Sequence, residues 1–228
     1  MRRTGRPESR SKELPPPLPP ETRTVGQLVA EALRFYGQRF WPSLALGLGL
    51  AVLNQLTVSS SRLAQLLLSA TVGAILLSAS FAAASALVGK VPMTRRSFGT
   101  AVVVGTIAFA PAPLLVSVFV LPAVAWLALV GLAVPVAMIE RTGVRTSFAR
   151  AVALARADYI HAAGSLSTLA ITYFLTKVVM LFLLRGQADL TLRAAAFLAD
   201  LVISPLLFLG AAILYSDQHA RWARKNCA

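Results

Sequence analysis

Lys177 and Asp200 are ionisable residues standing within two long apolar stretches, where a charge is costly and is functional by default. Lys177 precedes Arg185 by eight residues and Asp200 follows Leu192 by eight. On antiparallel neighbouring helices each side chain then lies ~12 Å below the same surface, at 1.5 Å per residue. The spacing predicts a buried ion pair. Such a pair either fixes the register of two packed helices or forms a polar element of a proton or solute path. A snorkelling Lys177 that keeps its ammonium at the interface is the third reading.

A second cluster follows the fourth apolar stretch. Glu140 stands beside Arg141, with Arg145, Ser147 and Arg150 following. A carboxylate at the C-terminal end of a helix opposes the helix dipole and calls for a cation nearby. Arg145 or Arg150 would serve, giving a salt network. The same arginines could instead hold a lipid phosphate, since the guanidinium presents forked donors that suit it. Asp217 and Arg221, four apart, read as a helix-end pair. His161 and His219 are far apart in the chain, and Cys227 is the single cysteine, so no metal site and no internal disulfide is expected. No cofactor is expected either. Gly164-Ser165 is not followed by glycine, and HExxH and Walker patterns do not occur, so the chain is not read as an enzyme.

The elements that must position these residues are apolar helices. The chain is 57% hydrophobic and 14% charged, against about 25% charge in soluble domains. From Gly99 to Ile139 roughly forty residues pass without Asp, Glu, Lys or Arg. One crossing takes about 20 residues, so this run is two crossings and a turn. A break at Pro111 or Pro113 would leave the first half too short, which places the turn near Ser117–Pro122. Further spans are expected at about Trp41–Ser59, Leu63–Val88, Ala162–Leu184 and Leu192–Tyr215. The first is crowded at its far end by Asn54, Gln55 and Thr57. In the second, Ser78, Ala82 and Ala86 recur every fourth residue, as do Ala70 and Ala74, a small-residue face suited to close packing in lipid.

Two amphipathic helices complete the plan, over Val25–Phe40 (N-capped by Thr24, with Phe35 and Trp41 at headgroup level) and over Glu140–Ile160. The expected fold is therefore all-α, a polytopic transmembrane bundle of six helices plus two interfacial amphipathic helices. Residues 1–23 form a basic and proline-rich disordered tail, residues 24–217 the membrane domain, and residues 218–228 a short polar tail. Ser97-Phe98-Gly99-Thr100-Ala101-Val102 is echoed by Ser147-Phe148-Ala149-Arg150-Ala151-Val152. The echo raises a plan of three units, each a surface segment followed by a hairpin. Chance likeness among Ala- and Val-rich segments is the other reading.

The net charge of +13 is distributed in a telling way. Eighteen of the 22 basic residues fall in the N-terminal segment, the loops after spans two and four, and the tail. Arg62, Arg185 and Arg193 face the other side. By the positive-inside rule both termini are cytoplasmic, and the anionic inner leaflet, rather than nucleic acid, is the expected partner of the positive charge.

The order of parts resembles the membrane domain found attached to some bacterial glycerophosphodiester phosphodiesterases. The resemblance is carried by Leu33-Arg34-Phe35-Tyr36 through Trp41, and by Val134-Pro135-Val136-Ala137-Met138-Ile139-Glu140 running into Ser147-Phe148-Ala149-Arg150-Ala151. Pro205-Leu206 through Leu214-Tyr215-Ser216-Asp217 is the third stretch. It implies a six-span bundle in the bacterial inner membrane, of unsettled function. The His-Arg-Gly signature of the hydrolase barrel is missing, so no hydrolase activity transfers. That family often has Arg two positions after the terminal Asp, where His219 stands here. The sequence thus leads to a non-catalytic membrane component, a scaffold or accessory in lipid or envelope processes. A small transporter or permease subunit with a polar path near Lys177 and Asp200 is the alternative.

Overall fold

A computed structural model of the chain describes residues 19–227. The proline run and basic start expected to be a disordered tail lie, up to residue 18, outside the described residues. The last part of that tail is not loose. Pro20–Thr22 makes a 3₁₀ turn and Arg23 is buried against the bundle.

Eight helices follow among the described residues, with no strand. Helix α1 (Val25–Gln38) starts on a reciprocal cap: the Thr24 hydroxyl accepts from the Gln27 N–H, and the Gln27 side chain accepts from the Thr24 N–H. Its Leu28 and Ala32 are buried against α7 (Tyr159–Leu183) and α8 (Asp189–Cys227). The expected amphipathic stripe is therefore seated on protein as well as facing the interface. Six helices are long and apolar enough to cross a membrane. They are α2 (Phe40–Thr57), α3 (Arg62–Gly89), α4 (Arg95–Val118), α5 (Val120–Glu140), α7 and α8. Helix α6 (Val144–Ala157) is the second surface helix, shorter at both ends than the stripe from Glu140 to Ile160.

The central hairpin turns where its length requires. Only Phe119, in extended conformation, separates α4 from α5. Pro111 interrupts the α-helical turns of α4 but does not end the span. Helices α3 and α5 each contain one wide π turn, at Ser69–Gly73 and Val136–Glu140. Lys90 and Arg141 then reverse the chain in left-handed conformation, at φ 51° and 55°.

Helix α8 is the central post. It touches α1, α2, α3, α6 and α7, and buries Phe208, Leu209 and Ala211–Tyr215. It does not stop at Tyr215, where the apolar run ends, but carries the expected polar tail as helix through Cys227. Pro205 lies inside it and, having no N–H, leaves the Leu201 carbonyl without a helical partner. Gly47 of α2 packs onto that carbonyl, and any larger residue there would collide with the Leu201 backbone. The small face of α3 behaves as expected: Ser78, Ala82 and Ala86 are buried, with Gly105 of α4 lying against Ser78. Large apolar residues such as Leu63, Val118, Ile171 and Phe182 point outward, as a helix bundle in lipid requires.

The sequence echo has a local structural counterpart. At the start of α4 the Thr94 and Ser97 hydroxyls lie 2.8 Å apart, and before α6 Thr142 and Ser147 repeat that 2.8 Å pairing. The echo does not extend to three equal units, because α4 enters its span directly whereas α6 is a separate surface helix.

Gly47→Val is expected to destabilise the bundle by about 3 kcal/mol, the upper range for overpacking a close contact. Gly99→Ala, with open space at that position, leaves stability unchanged. Thermal unfolding of the detergent-solubilised protein distinguishes the two.

Candidate functional site

Asp200 is wholly buried, at 0% exposure, on the face of α8 that meets α2 and α7. Lys177 and Tyr173 stand one helical turn apart on α7, so both side chains reach the same point. The Lys177 ammonium straddles the carboxylate, 2.8 Å from Oδ1 and 2.9 Å from Oδ2. The Tyr173 hydroxyl donates to Oδ1 at 2.5 Å, and the Asn54 amide of α2 donates to Oδ2 at 2.6 Å. The Ser204 hydroxyl donates to the Asp200 backbone carbonyl at 2.6 Å.

The expected ion pair is thus formed, but as part of a quartet on three helices. Asn54 and Tyr173 were not anticipated as its members. The available signals were the polar crowding at the end of the first span and the i,i+4 spacing of Tyr173 to Lys177. Both carboxylate oxygens are occupied, each by a neutral donor and the ammonium. The quartet therefore balances the desolvation of a buried carboxylate; it presents no vacant acceptor to a passing solute.

The other end of α8 carries a second network. Glu140 accepts from the Tyr215 hydroxyl at 2.8 Å and lies 3.5 Å from the Arg150 guanidinium, which stacks 3.9 Å above the Trp222 ring. Of the two arginines expected to serve Glu140, Arg150 is the partner. Arg141 and Arg145 are exposed and make no ion pair among the described residues. Arg141 instead joins Arg96, Thr94, Ser97 and Thr142 around a polar recess of about 410 Å³ between the starts of α4 and α6. Arg96 was not among the candidate residues.

Asp217 and Arg221 do not pair with each other. Asp217 is held by Arg23 at 2.7 Å, and its other oxygen lies 3.9 Å from His161 Nε2. Arg221 reaches across to Asp158 at 2.6 Å and to the Arg23 carbonyl at 2.7 Å. The Gln218 amide and the Lys225 ammonium donate to the carbonyls of Asp158 and Ala157. Desolvation explains the exchange: Asp217 is wholly buried and faces Arg23, just before α1, and His161 at the start of α7, so its partner must come from there. Among the described residues no group of three His, Cys, Asp or Glu side chains converges as a metal site.

Searched against models of known protein families, curated proteins and solved structures, the chain matches none of them.

Lys177→Met alone should cost about 3–5 kcal/mol, because it strands a buried carboxylate. Lys177→Met combined with Asp200→Asn should recover most of that loss, since the neutral amide accepts from Asn54 through its oxygen and donates through its NH2 to the Tyr173 hydroxyl oxygen. Unfolding of the single and double variants in the same detergent measures the difference.

Proposed function

We propose that this chain is a non-catalytic component of the bacterial inner membrane, a scaffold or accessory in lipid or envelope processes, with both termini cytoplasmic. The observation that carries the reading is the saturated Asp200 quartet. A transport path through this region would need a carboxylate that can exchange partners with water or solute. Here its oxygens are occupied by Lys177, Tyr173 and Asn54, and none of the four residues lines the apolar space at the bundle centre. The resemblance to phosphodiesterase-associated membrane domains supports the same assignment.

Charge supports the orientation. The Arg96–Arg141 recess lies on the face that also carries the start of α1 and the end of α8, joined by the Arg23–Asp217 pair. Arginines with no ion pair among the described residues, set beside hydroxyls, suit the phosphates of anionic inner-leaflet lipids. A protein partner would act alongside this lipid contact.

In liposomes loaded with a pH-sensitive dye, the reconstituted chain is expected to give no proton or cation flux above empty vesicles under an imposed gradient. Flux abolished by Lys177→Met with Asp200→Asn would establish the transporter reading instead. Reporters fused at either end should both register the cytoplasm. Exchanging phosphatidylcholine for phosphatidylglycerol should raise the thermal stability of the chain, and Arg96→Gln with Arg141→Gln should remove most of that gain.

A further inference from the structure

At the centre of the bundle is a cavity of about 360 Å³ to which all six spans contribute a wall. Leu53, Phe81, Phe109, Leu127, Leu166 and Phe208 represent them in chain order. Ser69, in the wide turn of α3, supplies the one hydroxyl of the wall among the described residues. On α3 the wall runs from Ser69 to Phe81, ~18 Å along the helix axis, so the space is elongated parallel to the spans. It reaches Val116 near the end of α4, a residue 51% exposed on the outer surface of the bundle. The cavity therefore opens sideways, within the depth of the spans, beside the turn between α4 and α5.

Such a space has few suitable occupants. Water needs two to four polar partners, and a single hydroxyl does not provide them. Leaving it empty forfeits the dispersion contacts of every wall residue. The medium at its mouth is lipid hydrocarbon. At ~30 Å³ for a group the size of a water molecule, which a methylene approximates, the volume takes about a dozen such groups. The wall offers no cation for a free carboxylate, so the ligand is one whose polar end stays outside.

We infer that this cavity is a binding site for one acyl chain of a membrane phospholipid, which enters beside Val116 and leaves its headgroup at the interface. The chain fills the elongated space between α3 and α8, and Ala112 and Ala211 mark its entrance and its depth. The inference rests on the reading of a closed bundle that conducts no solute, but the two fail separately. Flux in liposomes overturns that reading whatever lipid is bound, and a chain without lipid overturns this one whether or not flux occurs.

The test is native mass spectrometry of the full chain after exhaustive detergent exchange. With the inner-face phosphate contact removed by Arg96→Gln and Arg141→Gln, the chain is expected to retain one phospholipid. Ala112→Phe and, separately, Ala211→Leu fill the space and should lower that occupancy at least fivefold, with unfolding temperature maintained. Ile107→Phe, on the 49%-exposed outer face of α4, should retain the lipid. No bound phospholipid, equal occupancy in the filled variants, or a free fatty acid in its place would overturn the assignment. Should a filled variant fail to fold, the count on the Arg96→Gln, Arg141→Gln protein decides alone: one retained phospholipid supports the site and none overturns it.

Discussion

A carboxylate surrounded by hydrocarbon must find all of its hydrogen-bond partners within the protein, and Asp200 imposes that condition on three helices at once. Helices in lipid gain little from hiding apolar surface from one another, since the lipid tails are equally apolar. Packing of small residues and satisfaction of polar groups therefore decide which face meets which. Asp200 sets the rotation of α8, because any other angle would aim the charge at lipid. Tyr173 and Lys177 set the rotation of α7, and Asn54 that of α2. Close approach of α2 depends in turn on Gly47 against the carbonyl freed by Pro205.

The same helix carries a second buried carboxylate at its other end. Asp217 lies seventeen residues beyond Asp200, ~25 Å along the axis. It too is wholly buried. One carboxylate gathers α2 and α7 near one membrane face, and the other gathers Arg23 and the start of α7 near the opposite face. Between these fixed points the wall residues of the central cavity need only be apolar, which is why the bundle can enclose a void without losing its arrangement.

The sequence shows the spans, the hairpin turn and the Lys177–Asp200 pair because these depend on one-dimensional quantities: apolar run length, and distance from the nearest polar boundary. Asn54 was harder to read, because its part depends on the angle at which α2 meets α8, which no spacing encodes. The Asp217–Arg221 expectation followed a local rule that holds on exposed helix surfaces. It gave way to Arg23, 194 positions distant, because a buried acid takes its partner from the elements packed over it. The sixth span is expected to end at about Tyr215 on hydropathy, with a short polar tail beyond it. The helix continues because Gln218, Arg221 and Lys225 find acceptors on Arg23, Ala157 and Asp158. The cavity has no sequence signature, being a difference between the side-chain volumes of six helices and the space they enclose.

The wide turn at Ser69–Gly73 has a consequence for how this chain tolerates change. A π turn holds one residue more than an α turn of the same sweep. Deleting a single position there would tighten the coil locally and leave the rows before and after it facing their present neighbours. Elsewhere in α3 before Ser78 the same deletion would swing everything downstream by about 100°, carrying the Ser78–Ala82–Ala86 face away from α4.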